Sequence, residues 1–552
     1  MTDEASNAQR AAPRLSSAQH LAPLLWLAAL FATLFALRQL SPHLDIDEAH
    51  FLGPGQLTFA LGYDGSQPPL FNWLLTVAVW VTGGDLVLAV SGVRFGLNFA
   101  AWALTYLLVV AITGKRVTGW IAVAVLQMMP QIVWQMQITL THSVLVHTAA
   151  VASLTMLHMA WSTRAHSAYV GLGCALAAGI LAKYSFLVPL ALAAVAIASS
   201  SALRARLSAS GLVVTAITAL ALVAPHGLWA FANWQSTAAR LDRIQTAQNA
   251  NFDVPYLGVD GLLTLGWSVF MNIGVALAIW VVVIWVAGRR ARPTERDVET
   301  PAATATATVR IADSRAADVA AWRDGLARIL LFGLGGMAVG ILLADVHRVE
   351  PRYLIPLCVA FAPWLALRLD ATDIPRAGVA LGLRVALVLA VALPIIFALK
   401  ITSGSDRLSL PYERIARDIA IGLTLDGDRP VTLIARRQVT GANIARQLPT
   451  TAIGRAVDAP PAHLVLVSHH RKDRAWLSGL AQRLTACGFA VTPRPPRAIP
   501  YVHGVVMRRT SPFAYARVTP PDTARGDPLA AVRRCARFGS QTFAVHAQTR
   551  AR

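Results

Sequence analysis

Charge is scarce in this chain of 552 residues: only 14% are charged, against roughly a quarter in soluble globular domains. With mean hydropathy at +0.52, this shortage excludes an ordinary soluble protein and leaves an integral membrane protein. Cysteine is also rare, at four residues. Cys174 and Cys358 lie in apolar segments, and Cys487 and Cys535 lie in the polar C-terminal part. The last pair can form a disulfide only if that part faces an oxidising compartment. Lysine is almost absent, with Lys115, Lys183, Lys400 and Lys472 against 45 arginines. No internal repeat is visible. The first apolar segment has no small-residue cleavage site, so no cleavable signal is expected.

Basic charge is present, but unevenly. From Lys400 onward there are 24 basic and 9 acidic residues, a net +15 of the total +20. The preceding part is therefore nearly neutral. A basic excess often points to nucleic acid, but here it belongs to a tail after a multi-spanning region. Anionic membrane lipids are the expected partners, and nucleic acid is not.

Bilayer-length apolar windows need roughly 20 residues. They fall near 21–40, 92–112, 117–136, 139–160, 168–183, 185–199, 210–230, 263–287, 326–345, 353–369 and 377–399, about eleven spans, the fifth and sixth being short. The run Leu70 to Val81 is too short to span and is expected at the interface. The positive-inside rule puts the N-terminal tail (1–20), Lys115-Arg116, Arg164, Arg204, Arg206, a flexible linker at 288–322, and Arg368 with Arg376 on the cytoplasmic side. The opening loop (41–70), the 231–262 and 345–352 connections and everything after residue 400 then face outward. Beyond 400, strand-like PVTLIARR and HLVLVSHH alternate with helical stretches, which predicts a small α/β domain over 401–500. Residues 501–552, rich in Arg and Pro, are expected as a basic, partly disordered tail.

The opening loop, LDIDEAHFLGPGQLTFALGYDGSQPPLFNW from Leu44 to Trp73, carries Asp45, Asp47, Glu48, His50, Tyr63 and Asp64. Carboxylates just outside a membrane-length segment are expensive and usually functional, and Gln67-Pro68-Pro69 fixes how the chain re-enters the apolar phase. The same orientation brings Lys183, Arg348, Arg352 and His226 to the same side. One carboxylate cluster with several cations suits a phosphate-linked donor and an acceptor to be deprotonated. Each residue also has a bland role. Arg348 and Arg352 can pair with Asp345 and Glu350, His226 can cap a helix, and Lys183 can snorkel. His142 and Arg94 can be interfacial.

The order of these features resembles the GT-C class of lipid-linked-sugar glycosyltransferases. Specifically, it resembles the family 39 and 83 group, which includes protein O-mannosyltransferases and lipid A aminoarabinose transferases. The matching residues are Asp47-Glu48-Ala-His50-Phe, Tyr63 through Gln67-Pro-Pro-Leu, and Arg94 opening the next helix. They continue with Gly179 to Tyr184 around Lys183, Pro225-His226 with Trp229, and Arg352-Tyr353-Leu-Ile-Pro356. The resemblance covers about residues 20–400. It implies a helical polytopic catalytic domain (21–400) in a bacterial inner membrane, and inverting transfer from a polyprenyl-phosphate sugar to an acceptor hydroxyl on the extracytoplasmic face. Asp47 is then the general base with Glu48 beside it. His50, Tyr63, Gln67, Arg94, His142, Lys183, His226, Arg348, Arg352 and Tyr353 contact substrate. Where the family often has an acid at a helix start this chain has His142, and where it often has a charged residue before the Pro-Pro turn it has Gln67. Sugar, acceptor and any divalent-metal requirement are left open by these departures; no metal ligand is assigned. The alternative is a lipid or sugar transporter or flippase whose path these charges would line.

Overall fold

The computed structural model describes residues 18–52, 55–63, 67–235, 259–290, 306–372 and 376–402. In the C-terminal part it describes 408, 410–422, 431–435, 437–448, 463–468, 474–494, 496–503, 507–521, 531–532, 535 and 543–547. Residues 1–17, Asp64, positions 236–258 and positions 291–305 lie outside this set, with the expectations placed on them.

Seven helices among the described residues are long and apolar enough to cross a membrane: Leu21–Arg38, Leu86–Thr113, Thr141–Thr163, Ala209–Ala232, Val259–Arg289, Arg315–Leu343 and Ala377–Thr402. The other four expected spans are shorter or broken, for identifiable reasons. The window at 117–136 becomes Arg116–Gln127 and Gln131–Ile138, bent by 77° where Pro130 leads into a π-helical turn. Proline removes an N–H and clashes with the preceding turn, so a sharp kink is its usual result. The window at 353–369 is divided into Pro351–Tyr353, Ile355–Cys358 and Phe361–Asp370, with Pro356 in the first turn of the second piece.

The fifth and sixth windows are one broken path. Helix His166–Ala182 stops at Lys183, whose backbone is extended, and a 3₁₀ turn at Tyr184–Phe186 leads into Leu187–Ser199. A Cβ at Gly179 would overlap the Phe186 ring, so glycine is what lets the turn close against the helix it follows. The linker expected at 288–322 is corrected in its second half, because residues 306–322 begin the helix Thr306–Leu343. The Ala-rich composition there favours helix even without apolar periodicity.

The chain divides into two compact units. One comprises Met1–Phe35, Asp64–Phe71 and Arg94–Pro394, and the other Ala36–Tyr63, Asn72–Val93 and Ile395–Arg552. In the first, long helices pack through aromatic edges, Trp26 on Trp120 and Phe31 on Trp102, each with centroids 5.3 Å apart. Close approach also depends on Gly173, where a Cβ would come within 2.7 Å of the Thr215 carbonyl.

The second unit contains a six-stranded sheet: β1 (Val431–Ala435), β2 (His463–Ser468), β3 (Ala490–Pro493), β4 (Arg497–His503), β5 (Met507–Thr519) and β6 (Phe543–Ala547). The order is β3-β5-β2-β1-β6 with β4 paired to β5. Only β1 and β2 run parallel to each other among these pairs. Strand alternation sends Leu433, Val465, Val467, Phe513 and Tyr515 to one face, against Tyr412, Ile415, Ile419 and Ile444. It sends Ile434, Leu464, Leu466, Ala516 and Val518 to the other face, against Leu477, Leu480 and Leu484. The α/β domain therefore runs past the expected boundary at 500. The expectation of a partly disordered tail is corrected where β4, β5 and β6 supply strands. The Arg and Pro content concealed the alternation of SPFAYARV in β5. A disulfide joins Cys487 to Cys535.

Candidate active site

The carboxylate cluster forms a single helical turn, Ile46–Ala49, within the second unit. Asp45 is its N-cap, and a capping box links the Asp45 side chain and Glu48, so that donors exposed at a helix start are met by side chains. The Asp45 N–H donates to Glu48 Oε2 at 2.9 Å. The same oxygen accepts from Arg38 Nη2 at 2.7 Å. Arg38 and Glu48 are both 0% exposed.

Arg38 also donates to the Ser41 carbonyl at 2.8 Å and the His43 carbonyl at 2.6 Å. Asp45 and Glu48 are thus enclosed and committed to holding the turn, whereas Asp47 between them is partly exposed. Glu48, expected as a second catalytic acid, is closed off from solvent in this arrangement. Its support by Arg38 is absent from the sequence reading, and the signal for it is an arginine at the end of the first apolar run, ten residues before an acid.

His50 follows in a 3₁₀ turn and is partly buried, its ring centroid 6.1 Å from Phe51. Tyr63 is buried. Its hydroxyl donates to the Thr58 carbonyl, and burial pushes its pKa above the usual phenol value. The loop between them is tied to the helix Leu70–Val81, with Asn72 Nδ2 donating to the Gln56 carbonyl at 2.9 Å and Trp73 Nε1 to the Ala60 carbonyl at 2.8 Å.

The cations expected at the donor belong to the first unit. Lys183 is only 6% exposed. Its Nζ donates to Ser143 Oγ at 3.0 Å and lies 5.4 Å from the centre of the Tyr353 ring. Arg352 lies 5.7 Å from the same ring and pairs with Glu350 at 2.6 Å. Arg348 is more exposed and reaches Glu350 only at 3.7 Å. Lys183, Ser143, Tyr353, Arg352 and Glu350 therefore form one group, with two cations on one aromatic ring.

Next to it, Tyr184 Oη is 3.0 Å from His226 Nε2, and the His226 ring stacks between Tyr184 and Trp229. His226 is a buried stacking partner inside the helix Ala209–Ala232 and not its cap. Ser143 and Tyr184 carry no site role in the sequence reading, and the structure adds them as the hydrogen-bond partners of Lys183 and His226.

His142 is the second residue of the helix Thr141–Thr163, its ring centroid 5.1 Å from that of Phe71. The preceding Leu140 has φ 64°, a costly conformation for a residue with a branched side chain, and such strain clusters at functional sites. Gln67 is partly buried before the buried Pro68-Pro69. Arg94 does not open a helix but sits in the third turn of Leu86–Thr113, fully buried. Its carbonyl accepts from Asn98 Nδ2 at 3.0 Å. Among the described residues, no group of three or more His, Cys, Asp or Glu side chains is arranged to hold a metal ion.

The family described as dolichyl-phosphate-mannose-protein mannosyltransferase matches residues 66–229. Two curated relatives from Rhizobium johnstonii are each 26% identical. The lipopolysaccharide core galacturonosyltransferase RgtB aligns over 82% of this chain and 87% of its own length, and RgtA over 90% and 97%. The fold matches that of ArnT from Cupriavidus metallidurans, solved bound to undecaprenyl phosphate. The TM-score is 0.53 at 13% identity, over 90% of this chain and 98% of that one. The chain is similar to membrane glycosyltransferases over most of its length, and its fold is ArnT-like, of the GT-C type. This similarity favours the glycosyltransferase reading over the transporter that the same charges also allowed. The helical polytopic architecture expected from its composition is the one observed.

Proposed function

We propose that the enzyme transfers a sugar from a polyprenyl-phosphate donor to an acceptor hydroxyl, with inversion, on the extracytoplasmic face. The observation that carries this reading is the Ile46–Ala49 turn, in which two buried carboxylates, Asp45 and Glu48, hold a third, Asp47, partly open to solvent. A general base needs that combination of fixed geometry and access. Asp47 takes the acceptor hydroxyl proton as the oxygen attacks the anomeric carbon. The bond from that carbon to the phosphate oxygen breaks, and polyprenyl phosphate leaves with the electron pair. Lys183 and Arg352 offset its charge.

The sugar we propose is a uronic acid of the galacturonate type, because both curated relatives are named for galacturonosyl transfer to a lipopolysaccharide core. An acidic sugar suits a donor site furnished with Lys183, Arg352 and the more exposed Arg348. Outward placement of the catalytic face is supported by the Cys487–Cys535 disulfide, since such bonds persist in oxidising compartments.

The test uses membranes carrying the full chain and a synthetic polyprenyl-phosphate galacturonic acid, with transfer to core oligosaccharide followed by mass spectrometry. Asp47→Asn keeps the side-chain shape but cannot accept the proton. It is expected to lower turnover by about 10² to 10⁴-fold with donor binding retained. Normal turnover would remove Asp47 as the base. Transfer of a neutral hexose in preference to galacturonate would remove the assignment of the sugar.

A further inference from the structure

The chain entering the catalytic turn is held along four consecutive carbonyls. Arg38 takes those of Ser41 and His43. The intervening ones, Pro42 and Leu44, are taken by a single helix of the C-terminal domain, Gln438–Gln447. Arg446 Nη1 donates to the Pro42 carbonyl at 2.7 Å. Asn443 Nδ2 donates to the Leu44 carbonyl at 2.9 Å, and Asn443 Oδ1 accepts the Leu44 N–H at 2.7 Å.

Asn443 is 1% exposed, and Nδ2 also reaches the Val439 carbonyl at 3.0 Å. The amide thus satisfies both backbone groups of Leu44, as a neighbouring strand would. Leu44 immediately precedes the N-cap Asp45 and lies three residues before Asp47. Clamped on alternate carbonyls from two sides, segment 41–44 has no freedom to change the direction in which the turn leaves it.

We propose that Asn443 is a positioning residue for Asp47, with Arg446 assisting. The C-terminal α/β domain is on this basis part of the machinery that activates the acceptor. This rests on the reading of Asp47 as the base. A basic extracytoplasmic domain invites a role in attracting anionic lipid, but these contacts give it a second task, which is fixing the catalytic turn through the backbone. An amide is the side chain suited to that task, because it presents a donor nitrogen and an acceptor oxygen side by side in one plane. Asp in its place lacks the donor for the Leu44 carbonyl, and Ala lacks both groups.

The experiment is a double-mutant cycle on the purified full chain, with synthetic polyprenyl-phosphate galacturonic acid as donor and undecaprenyl phosphate as binding probe. Displacing a catalytic group by about 1 Å costs up to about 10²-fold in rate. Asn443→Ala is therefore expected to lower kcat by about 10 to 10²-fold. The KM for donor and the affinity for undecaprenyl phosphate should stay within about twofold, well inside the tenfold that 1.4 kcal/mol represents. In an Asp47→Asn background the same substitution should lower kcat no further, since groups that act as a unit are not additive.

Arg446→Met is the second variant, expected to behave in the same way more weakly, and it serves if Asn443→Ala does not fold. Unchanged kcat in folded Asn443→Ala or Arg446→Met, or a full additional loss in the Asp47→Asn background, overturns the positioning role while leaving the base assignment intact. Normal turnover in Asp47→Asn alone overturns the base assignment, and the proposal with it.

Discussion

Arg38 and Glu48 are an ion pair at 2.7 Å with both side chains enclosed, and such a pair is easier to damage than to credit with stability. Removing one partner leaves a buried charge unmatched and typically costs about 3–5 kcal/mol, whereas replacing both with apolar groups is often neutral. Arg38→Met should therefore destabilise the enzyme strongly in thermal unfolding, and Arg38→Met with Glu48→Met should recover much of the loss. Equal destabilisation in the single and double variants would mean that the pair does not act as a unit. Lys183 makes a different prediction. On the proposed reading its ammonium, placed by Ser143 and Tyr353, makes a charge-assisted contact to the donor phosphate worth roughly 1.5 to 3 kcal/mol. Lys183→Met should weaken undecaprenyl phosphate binding by about that amount with little change in melting temperature. Undiminished affinity would take Lys183 out of the donor site.

The loop and the helices of the C-terminal domain interact as elements, and His43 reports on that packing. Its ring meets Tyr412 edge-on with centroids 5.0 Å apart. Burial first, then the nearby Arg446 and Arg38, lower its pKa from 6.5 to about 4. The folded protein therefore keeps His43 neutral where the unfolded chain would protonate it. The unfolded state binds more protons between about pH 6.5 and 4, so stability is complete above that window and falls as pH drops through it, by about 3 kcal/mol in all. His43→Gln should flatten this acid limb of the stability profile. An unchanged limb would assign the acid sensitivity to other groups.

Over the whole molecule, orientation governs where the chemistry occurs. With the basic connections on the cytoplasmic side, the proposed orientation has everything after residue 400 outside, and a disulfide closing a separation of 48 residues is in keeping with that side. A reporter inserted near Ser405 should be active only in an extracytoplasmic format. Activity of a cytoplasm-only reporter there would reverse the proposed face.

Composition alone determined that this chain is a helical membrane protein, because burying so few charges among so many apolar residues admits no other solvent. The order of short motifs was enough to suggest its GT-C fold, and helix positions were legible because a bilayer demands long uninterrupted apolar runs. Where a span is interrupted, as at Pro130 or Lys183, hydropathy averages over the break and only the backbone shows it. Asp45, Asp47 and Glu48 are also equivalent as letters. Their separation into a cap, a partly open carboxylate and a buried ion-pair partner depends on Arg38 and on the one-turn helix geometry. The link from Leu44 to Asn443 was invisible for a further reason: it joins residues 399 positions apart through a backbone amide and carbonyl, groups every residue carries. No local pattern records such a contact, and folding alone brings it about.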